Sequence, residues 1–252
     1  MSSTSPELRT LAFGDASRTV WGAAWIPGGD DAALAALGGD GGSAIAPGLR
    51  LSAATDDGEW RLDGDQTALI VSPTGELVDV HGSDDIGGFD QLCRVTGRIE
   101  LNDTEHAVDC LGLRISRSGG FDLAKLQSVR AVSTWFEPDE GFALMAFRGR
   151  KAKHHDSDVL TAAVLGPETS APVEDPRLST TYDAGGWPLR AGLELWLADE
   201  SEEEQYPRRA VGEAAGIRAQ TEAGELDLRA EPFRWHSRGR EGAGMYLLAS
   251  RR

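Results

Sequence analysis

Three residues of the segment 105–116 have side chains that could do chemistry: His106, Asp109 and Arg114. An imidazole or a carboxylate can transfer protons, and a guanidinium can stabilise negative charge that develops on a substrate. Neighbouring side chains of a β-strand point to opposite faces, so His106 and Asp109, three positions apart, cannot both face one pocket. We therefore treat the three as separate candidate catalytic residues and not as an acid–base pair.

Tryptophan is the second feature that could shape a site, because the chain has seven tryptophans and only three tyrosines. Large aromatic side chains fill β-sheet cores, and they also form the walls of pockets for apolar ligands. Trp21 and Trp25, four positions apart, would share one face of a strand. Core packing is the alternative interpretation for each tryptophan. The candidate ligand-binding residues are Trp21, Trp25, Trp60, Trp135 and Arg130.

Several kinds of catalysis find no support in the sequence. It contains no Gly-x-Ser-x-Gly elbow, no phosphate-binding loop and no Gly-x-Gly-x-x-Gly, so we predict no nucleotide cofactor. The segment His154–Asp158 contains two histidines and two aspartates, but adjacent side chains diverge on a strand and the spacing of known metal ligands is missing. We predict a solvated loop there, with no metal and no cofactor. Cys93 and Cys110 each lie in an apolar run, which predicts buried, reduced thiols.

The charge balance limits the expected partners. The 252 residues include 41 acidic and 25 basic side chains, which gives a formal net charge of −16. Such a chain repels the phosphates of nucleic acids and the surfaces of anionic membranes, so neither is an expected partner. No export signal is visible, and no run approaches the roughly 18 apolar residues of a membrane span. We expect a cytoplasmic protein without a transmembrane segment, and the oligomeric state stays open.

Short apolar runs separated by turn residues dominate the chain, which contains 31 glycines and 11 prolines. This pattern predicts many antiparallel strands and an all-β fold. Both alternating faces of Val129–Phe136 are partly apolar, which indicates a core on one side and a neighbouring domain on the other. Leu92–Leu101 and Glu105–Ser116 form one predicted hairpin. The turns of the four predicted hairpins are Pro73–Gly75, Asn102–Thr104, Glu137–Gly141 and Glu222–Glu225.

Few segments suggest helix. Asp30–Gly39 begins with acidic residues and ends at two glycines, which predicts about two helical turns. Phe121–Gln127 and Ala210–Ala215 predict short turns of helix. The Gly-rich stretch Arg117–Gly120 interrupts the strand pattern, and a new run of hairpins follows it. The predicted domains are therefore residues 8–120 and 121–252, each large enough for a small β-barrel.

Four segments of the chain resemble parts of a known family: LAFGDASRTVWGAAWI, VTGRIELNDTEHAVDCLGLRISRSGG, RAVSTWFEPDEGFALMAFR and AGLELWLADESEEEQYPRRAVGEA. They resemble, in order, the opening strand pair, the central hairpin, the first hairpin of the second barrel and a later strand of the two-barrel lipocalin-like family. That family includes carotenoid 1,2-hydratase, tocopherol cyclase and the decalin-forming cyclases of polyketide pathways. The resemblance implies two tandem lipocalin-like antiparallel β-barrels.

One motif of this family is only partly present. Gly112, Arg114 and Gly119 match its glycine–arginine pattern, whereas Ile115 and Ser118 stand where the family has an acidic residue and a tryptophan. The resemblance therefore implies the fold more strongly than it implies catalysis, because a general acid expected beside Arg114 is missing.

These observations leave three functional hypotheses. The leading one is a protein that encloses an apolar small molecule (an isoprenoid, polyketide or lipid) in a barrel cavity, as a cofactor-independent cyclase- or hydratase-like enzyme. The second is a non-catalytic carrier for such a ligand. The third is a carbohydrate-binding β-sandwich with exposed tryptophans as stacking platforms. Burial separates them, since tryptophans that converge on an enclosed cavity favour the first two and a flat exposed row favours the third.

Overall fold

The computed structural model describes residues 7–15, 17, 19–39, 42–53, 58–83, 85–152, 158–198 and 206–252. Within these residues, the chain forms antiparallel strands in two sheets, which confirms the predicted all-β fold. The strands of the N-terminal sheet are β1 (Glu7–Gly14), β2 (Val20–Pro27), β3 (Leu34–Gly39), β4 (Gly42–Ile45), β5 (Arg50–Ala53), β6 (Trp60–Gly64), β7 (Thr67–Pro73), β8 (Val78–His81), β9 (Ile86–Leu101) and β10 (Thr104–Gly119). Those of the C-terminal sheet are β11 (Leu126–Phe136), β12 (Glu140–Gly149), β13 (Val159–Leu165), β14 (Ala171–Tyr182), β15 (Pro188–Leu197), β16 (Arg208–Ala214), β17 (Ala219–Ala223), β18 (Leu226–Ser237) and β19 (Arg240–Arg251).

The N-terminal sheet curls until its two ends approach each other. Its strand order is β4-β3-β2-β1-β10-β9-β7-β6-β5, and β8 pairs with β9 outside this path. The segment before β3 meets β5 through a single bridge between Asp31 and Arg50. Two backbone hydrogen bonds support the bridge, from the Leu51 N–H to the Asp30 carbonyl at 2.8 Å and from the Ala32 N–H to the Leu49 carbonyl at 3.0 Å. The N-terminal sheet is therefore a curled sheet rather than a fully hydrogen-bonded barrel.

The C-terminal sheet closes completely. Its order is β16-β15-β14-β13-β12-β11-β19-β18-β17, and β16 also pairs with β18. That pairing runs from Val211–His236 to Ala214–Phe233, so eight strands form a closed barrel with β17 as an extra strand on β18. Closure removes the unpaired edges that an open sheet leaves. The two sheets thus represent an almost closed and a closed form of the same architecture.

Apolar side chains form three clusters. One lies inside the N-terminal sheet and one inside the C-terminal barrel, whereas the third contains residues of both sheets and packs between them. In β11, Val129 and Ala131 belong to the cluster between the sheets and Val132 to the barrel interior. This arrangement confirms the prediction that the strand has a core on one side and the other half of the molecule on its second side.

Two predicted helices are wrong and a third is confirmed. The segment Asp30–Gly39 contains β3 instead, because Leu34 and Ala36 pack between the sheets while Ala35 and Leu37 pack inside the N-terminal sheet. Both faces of the strand are apolar, so the sequence does not display the alternation of a strand.

The segment Ala210–Ala215 is also a strand, β16, in which Ala210 is buried and Val211 is 56% exposed. At Phe121–Gln127 the chain does form one helical turn of the 3₁₀ type, Leu123–Lys125. The Asp122 carboxylate caps it by accepting from the Ala124 N–H at 2.9 Å. No helix within the described ranges is both long and apolar enough to cross a membrane.

The long hairpin β9–β10 positions the polar residues of the N-terminal half. Its register pairs Thr104 with Leu101 and continues without a break to Gly119 and Ile86. Gly112 lets β1 approach β10, because a Cβ at this position would lie 2.5 Å from the Ala12 carbonyl oxygen. The other face of the hairpin meets the C-terminal barrel. There the fully buried Arg117 binds Asp90 at 2.7 Å and donates to the Thr161 hydroxyl of β13 at 2.8 Å.

Candidate functional site

Three hydrogen bonds to described residues help to hold Arg114. Its Cα partner across the hairpin is Gln91 of β9. The Arg114 Nε donates to the Gln91 side-chain oxygen at 3.0 Å, and Nη2 donates to the same oxygen. The second terminal nitrogen, Nη1, donates to the carbonyl of Gly58. The side chain is 3% exposed, so the guanidinium has a fixed direction inside the protein.

Two aromatic rings flank this guanidinium. The Arg114 Cζ lies 5.0 Å from the centre of the Trp60 ring and 5.6 Å from that of Phe89. The two rings meet edge to face, with centroids 6.1 Å apart. A cation over an aromatic face is stabilised by the ring quadrupole, more strongly where water is excluded. We call Arg114, Gln91, Trp60 and Phe89 the Arg114 cluster.

The Arg114 cluster borders the apolar interior of the N-terminal sheet. Trp60 and Cys93 belong to that interior, and the half-buried Phe89 packs against it. Burial raises the pKa of the Cys93 thiol, and burial also raises the pKa of the Cys110 thiol to about 12. Both thiols are therefore neutral near pH 7, and both are free and buried as predicted. Gly58, whose carbonyl accepts from Arg114, is half-buried as well.

The structure does not bring the other two catalytic candidates to Arg114. His106 shares its strand face, but eight residues of extended chain separate them by about 26 Å. His106 borders a separate cavity of about 210 Å³ with Ser43 and Leu101. Asp109 points outward and binds the Arg94 Nε at 2.6 Å. That hydrogen bond holds the pKa of Asp109 below its ordinary value, so Asp109 is an ionised surface group.

The four candidate tryptophans divide between two places. Trp60 lies in the interior of the N-terminal sheet, whereas Trp21, Trp25 and Trp135 belong to the cluster between the sheets. The Trp135 indole N–H donates to the Gly14 carbonyl at 3.0 Å and so ties the two halves together. Core packing between the halves therefore accounts for the position of these three residues.

Tryptophan exposure also bears on the carbohydrate-binding hypothesis. Five of the seven tryptophans are buried: Trp21, Trp25, Trp60, Trp135 and Trp235. Trp187 and Trp196 are half-buried. Trp187 immediately precedes β15 and Trp196 lies near its end, so about 30 Å of extended chain separates them. The exposed row that a stacking platform requires is not formed by these seven residues.

Arg130 forms a second polar cluster, inside the C-terminal barrel. Its Nη2 donates to a carboxylate oxygen of Asp158, and both side chains are almost fully buried, at 7% and 1% exposure. The Arg148 Nε lies 3.9 Å from the other Asp158 oxygen. A buried ion pair of this kind loses hydration on both partners, and its attraction in the low-dielectric interior offsets that loss. Arg130, Asp158 and Arg148 form what we call the Arg130 cluster.

A phenol lies close to the Arg130 cluster on the same inner face. Leu248 of β19 lies opposite Arg130 of β11. Tyr246 lies two residues before Leu248 on the same strand and therefore on the same face. The Tyr246 hydroxyl lies 3.0 Å from the Thr180 hydroxyl and 3.3 Å from that of Tyr182. Burial raises the pKa of Tyr246, so this phenol is a neutral hydrogen-bonding group at physiological pH.

Metal ligands are not grouped in the part of the chain that is described: no three His, Cys, Asp or Glu side chains come together there. The histidine pair of the segment His154–Asp158 lies outside the described residues, and only Asp158 of that segment is placed.

Sequence reasoning overlooked Gln91 and Phe89, and it placed Asp158 in a solvated loop, although this side chain is 1% exposed and paired with Arg130. Gln91 could have been found, because the predicted hairpin around Asn102–Thr104 fixes the register that places it opposite Arg114. Phe89 lies two residues earlier on the same face of β9. Asp158 gives no such signal, since it lies 28 residues from Arg130 and outside any predicted strand.

No protein-family model matches this chain, and no curated protein matches its sequence. Solved structures do match its fold. A candidate AttH from Nitrosomonas europaea superimposes with a TM-score of 0.68 at 11% identity, covering 98% of this chain and 93% of that one. CghA bound to Sch210972 superimposes with a TM-score of 0.62 at 10% identity, covering 98% and 88%. Kievitone hydratase from Nectria haematococca gives 0.62 at 9% identity, covering 98% and 90%.

These similarities extend over nearly the whole chain, so both halves and their arrangement are shared. The resemblance to the two-barrel hydratase and cyclase family is confirmed at the level of the fold. At identities of 9–11%, the likeness concerns the fold alone, and a fold does not determine an activity. Function has to be argued from the clusters of this chain.

Proposed function

We propose that this protein binds a small, largely apolar molecule inside the N-terminal half, with a carbonyl or carboxylate oxygen of the ligand directed at Arg114. The observation that carries the proposal is the buried Arg114 guanidinium, oriented by Gln91 and flanked by Trp60 and Phe89. Apolar walls with a few fixed polar groups are typical of small-molecule sites. An isoprenoid, a polyketide or a lipid would fit this chemistry.

We further propose a cofactor-independent cyclase- or hydratase-like reaction at this site. A guanidinium that is already oriented in a low-dielectric interior stabilises negative charge developing on a substrate oxygen without reorganising. Apolar side chains such as Trp60 would hold the rest of the molecule close to its reactive conformation and exclude water. The fold shared with a hydratase and with a protein bound to Sch210972 supports this class of reaction over others.

A carrier role is the second candidate, and one observation favours it. Ile115, which replaces the acidic residue of the family motif, packs between the two sheets on the face of β10 opposite to Arg114. Asp109 also faces away from Arg114 and is exposed to solvent. Strand β10 itself therefore supplies Arg114 with no proton-donating carboxyl group. Such a site would bind a ligand without transforming it.

The first experiment identifies the ligand. The protein is purified from its own host and analysed by native mass spectrometry for a co-purified apolar compound. Arg114→Gln and Arg94→Gln are purified in the same way, because Arg94 lies on the outer face of the same hairpin and pairs with Asp109. We expect the compound with the wild type and with Arg94→Gln, and at least about tenfold less with Arg114→Gln, as charged hydrogen bonds contribute about 1.5–3 kcal/mol.

The second experiment separates enzyme from carrier. The recovered compound and its precursors in a host extract are incubated with each variant, and products are followed by mass spectrometry. Conversion by the wild type that is lost in Arg114→Gln supports the enzyme, and binding without conversion supports the carrier. Equal binding and equal conversion by Arg114→Gln and the wild type would refute both roles for this cluster.

A further inference from the structure

The open end of the C-terminal barrel contains a cavity of about 660 Å³ with an unusual lining. Four of its lining residues are arginines: Arg130, Arg148, Arg150 and Arg229. Among the residues that the structure describes, no aspartate or glutamate lines it. This chain has 41 acidic and only 25 basic residues, so four arginines around one cavity depart strongly from its overall composition.

The opposite end of the same barrel has a cavity whose charged residues are closer to the composition of the whole chain. This cavity of about 500 Å³ is lined by charges of both signs. Its charged residues are Glu137, Asp139, Glu140, Glu168, Arg208, Arg238 and Arg240. The barrel is therefore polarised along its axis, with a basic end and a mixed end. Barrel shape alone does not explain the basic end.

The carboxylates that pair with these arginines are not among the lining residues. Asp158 binds Arg130, and Asp227 binds the Arg229 Nη2 at 2.7 Å. Glu225 lies 3.5 Å from Arg150. Among the described residues, these three carboxylates are shared between the lining arginines and Arg251, which also binds Glu225. A guanidinium has five N–H donors in a planar fork, so one carboxylate does not exhaust its capacity.

The remaining lining suits an organic group. Tyr182 and Leu248 provide an aromatic ring and an aliphatic side chain, while Gly185 and Gly186 leave space beside them. Arg148 and Arg150 lie nearer to solvent than Arg130, with side chains 20% and 50% exposed against 7%. An entering anion would therefore meet the two outer arginines first.

We propose that this cavity is a second ligand site, which binds a small organic molecule through a carboxylate or phosphate oxyanion. Arginine pairs with both groups through two parallel hydrogen bonds, which are shorter and stronger than hydrogen bonds between neutral groups. The cavity volume admits a ligand of about drug size. The site is independent of the Arg114 cluster, because it lies inside the other sheet and shares no residue with it.

Isothermal titration calorimetry tests this site with three probes: inorganic phosphate, phenyl phosphate and benzoate. Ionic strength is kept constant with sodium chloride, because general screening also acts on a chain of high net charge. The variant Arg148→Gln/Arg150→Gln removes the outer arginines. The matched control Arg177→Gln/Arg190→Gln removes two arginines outside the cavity, which are 59% and 69% exposed. Both double variants have the same net charge.

We expect saturable binding of at least one probe to the wild type and to the control. Binding to Arg148→Gln/Arg150→Gln should be at least about tenfold weaker, which corresponds to one lost charged hydrogen bond. Preference for benzoate assigns the site to carboxylates, and preference for phenyl phosphate assigns it to phosphate esters. If the double variant does not fold, the half-exposed Arg150→Gln alone replaces it, with an expected weakening of about threefold or more. Equal affinity in variant and control, or no saturable binding of any probe, would overturn the proposal.

Discussion

Besides Arg117, which lies between the halves, each half of this molecule buries an arginine in its own interior, and the two halves hold it by different means. Arg114 in the N-terminal half donates to an amide oxygen and a backbone carbonyl and lies against two aromatic rings. Arg130 in the C-terminal half binds the carboxylate of Asp158. An amide oxygen and aromatic rings orient a guanidinium without adding a charge of their own, whereas a carboxylate adds a negative charge beside it. A buried arginine can therefore be oriented either by neutral contacts, as at Arg114, or by an ion pair, as at Arg130.

The two sheets that surround these arginines also differ, in how completely each sheet closes. The C-terminal barrel closes through a regular ladder between β16 and β18, while the N-terminal sheet closes through the single bridge between Asp31 and Arg50. A sheet with a weakly joined seam opens at lower free energy than a closed barrel. Entry of an apolar ligand into the N-terminal half would use that property, and the more rigid barrel would hold its charged cavity in shape.

The largest expected effect comes from removing the carboxylate that compensates Arg130. Asp158→Ala leaves a buried guanidinium without its ion-pair partner, which should lower the free energy of unfolding by about 3–5 kcal/mol. Urea denaturation measures this loss. Asp175→Ala is the matched control, because it removes an exposed carboxylate paired with Arg177 on the outside of the same barrel, and it should leave the midpoint nearly unchanged. A loss similar to that of the control would show that Arg130 does not depend on Asp158.

The corresponding change in the N-terminal half should be milder. Gln91→Leu removes the amide oxygen that accepts from Arg114 and the amide N–H that donates to the Gly75 carbonyl, and a hydrogen bond to a charged group contributes about 1.5–3 kcal/mol. The rings of Trp60 and Phe89 remain and retain part of the orientation. Denaturation is compared with that of Gln66→Leu, which alters an exposed side chain. A loss as large as that of Asp158→Ala would remove the distinction between the two clusters.

A third buried charged group, Glu231 of β18, should make the free energy of unfolding depend on pH. This carboxylate is 1% exposed and lies 3.5 Å from the Arg218 Nε. Burial raises the pKa of Glu231, and the attraction of Arg218 opposes this only in part. The folded state therefore binds the proton more tightly than the unfolded state, whose carboxyl pKa is about 4.3. Stability from this group is present below that pH and is lost as the pH rises through the folded-state pKa.

Glu231→Gln should abolish this component of the pH dependence. Urea midpoints of the wild type and the variant are compared from about pH 4 to about pH 8, the range around the carboxyl pKa. We expect the advantage of the variant over the wild type to grow with pH. Glu213→Gln, which changes an exposed carboxylate paired with Arg190, should give no such trend. A wild-type advantage that grows with pH would mean that Arg218 outweighs burial.

The smallest effect should come from the seam of the N-terminal sheet. Arg50→Ala removes an exposed ion pair with Asp31, in which the side chains are 66% and 83% exposed. Such pairs contribute little, so the free energy of unfolding should change by less than about 1 kcal/mol. Hydrogen exchange of the Leu51 and Ala32 amides, which close the seam, should nevertheless become faster, while exchange along β16 stays the same. Unchanged exchange at both amides would show that the backbone bridge alone sustains the seam.

The hairpins and the class of fold could be predicted because they depend on local signals. Turn residues around Asn102–Thr104 fix the pairing of β9 with β10, and through it the place of Gln91 opposite Arg114. The helix predicted at Asp30–Gly39 failed because β3 has apolar neighbours on both faces, which removes the alternation that marks a strand. Periodicity reports where a residue points only when one face is polar.

The sites themselves were harder to predict, since they depend on which core each strand face joins. The sequence places Trp21 and Trp25 on one face, but only the packing of the two sheets shows that this face lies between them. The Arg130–Asp158 pair likewise depends on barrel closure, which brings distant residues together without a local signal. A contact between residues that are far apart in the sequence produces no pattern within any single segment of the chain.

The alternation of side chains along β10 determines which part of the protein a sequence change in this strand affects. Arg114 faces the interior of the N-terminal sheet, while its neighbours Leu113 and Ile115 face the C-terminal barrel. Substitutions at even positions would therefore alter the interior that contains the proposed ligand site, and substitutions at odd positions would alter the fit between the halves. Inserting one residue before Gly112 would exchange the two sets of side chains, whereas inserting two would restore the pattern beyond the insertion. Evolution and protein engineering can thus vary the site and the interface separately, but only by keeping the parity of this strand.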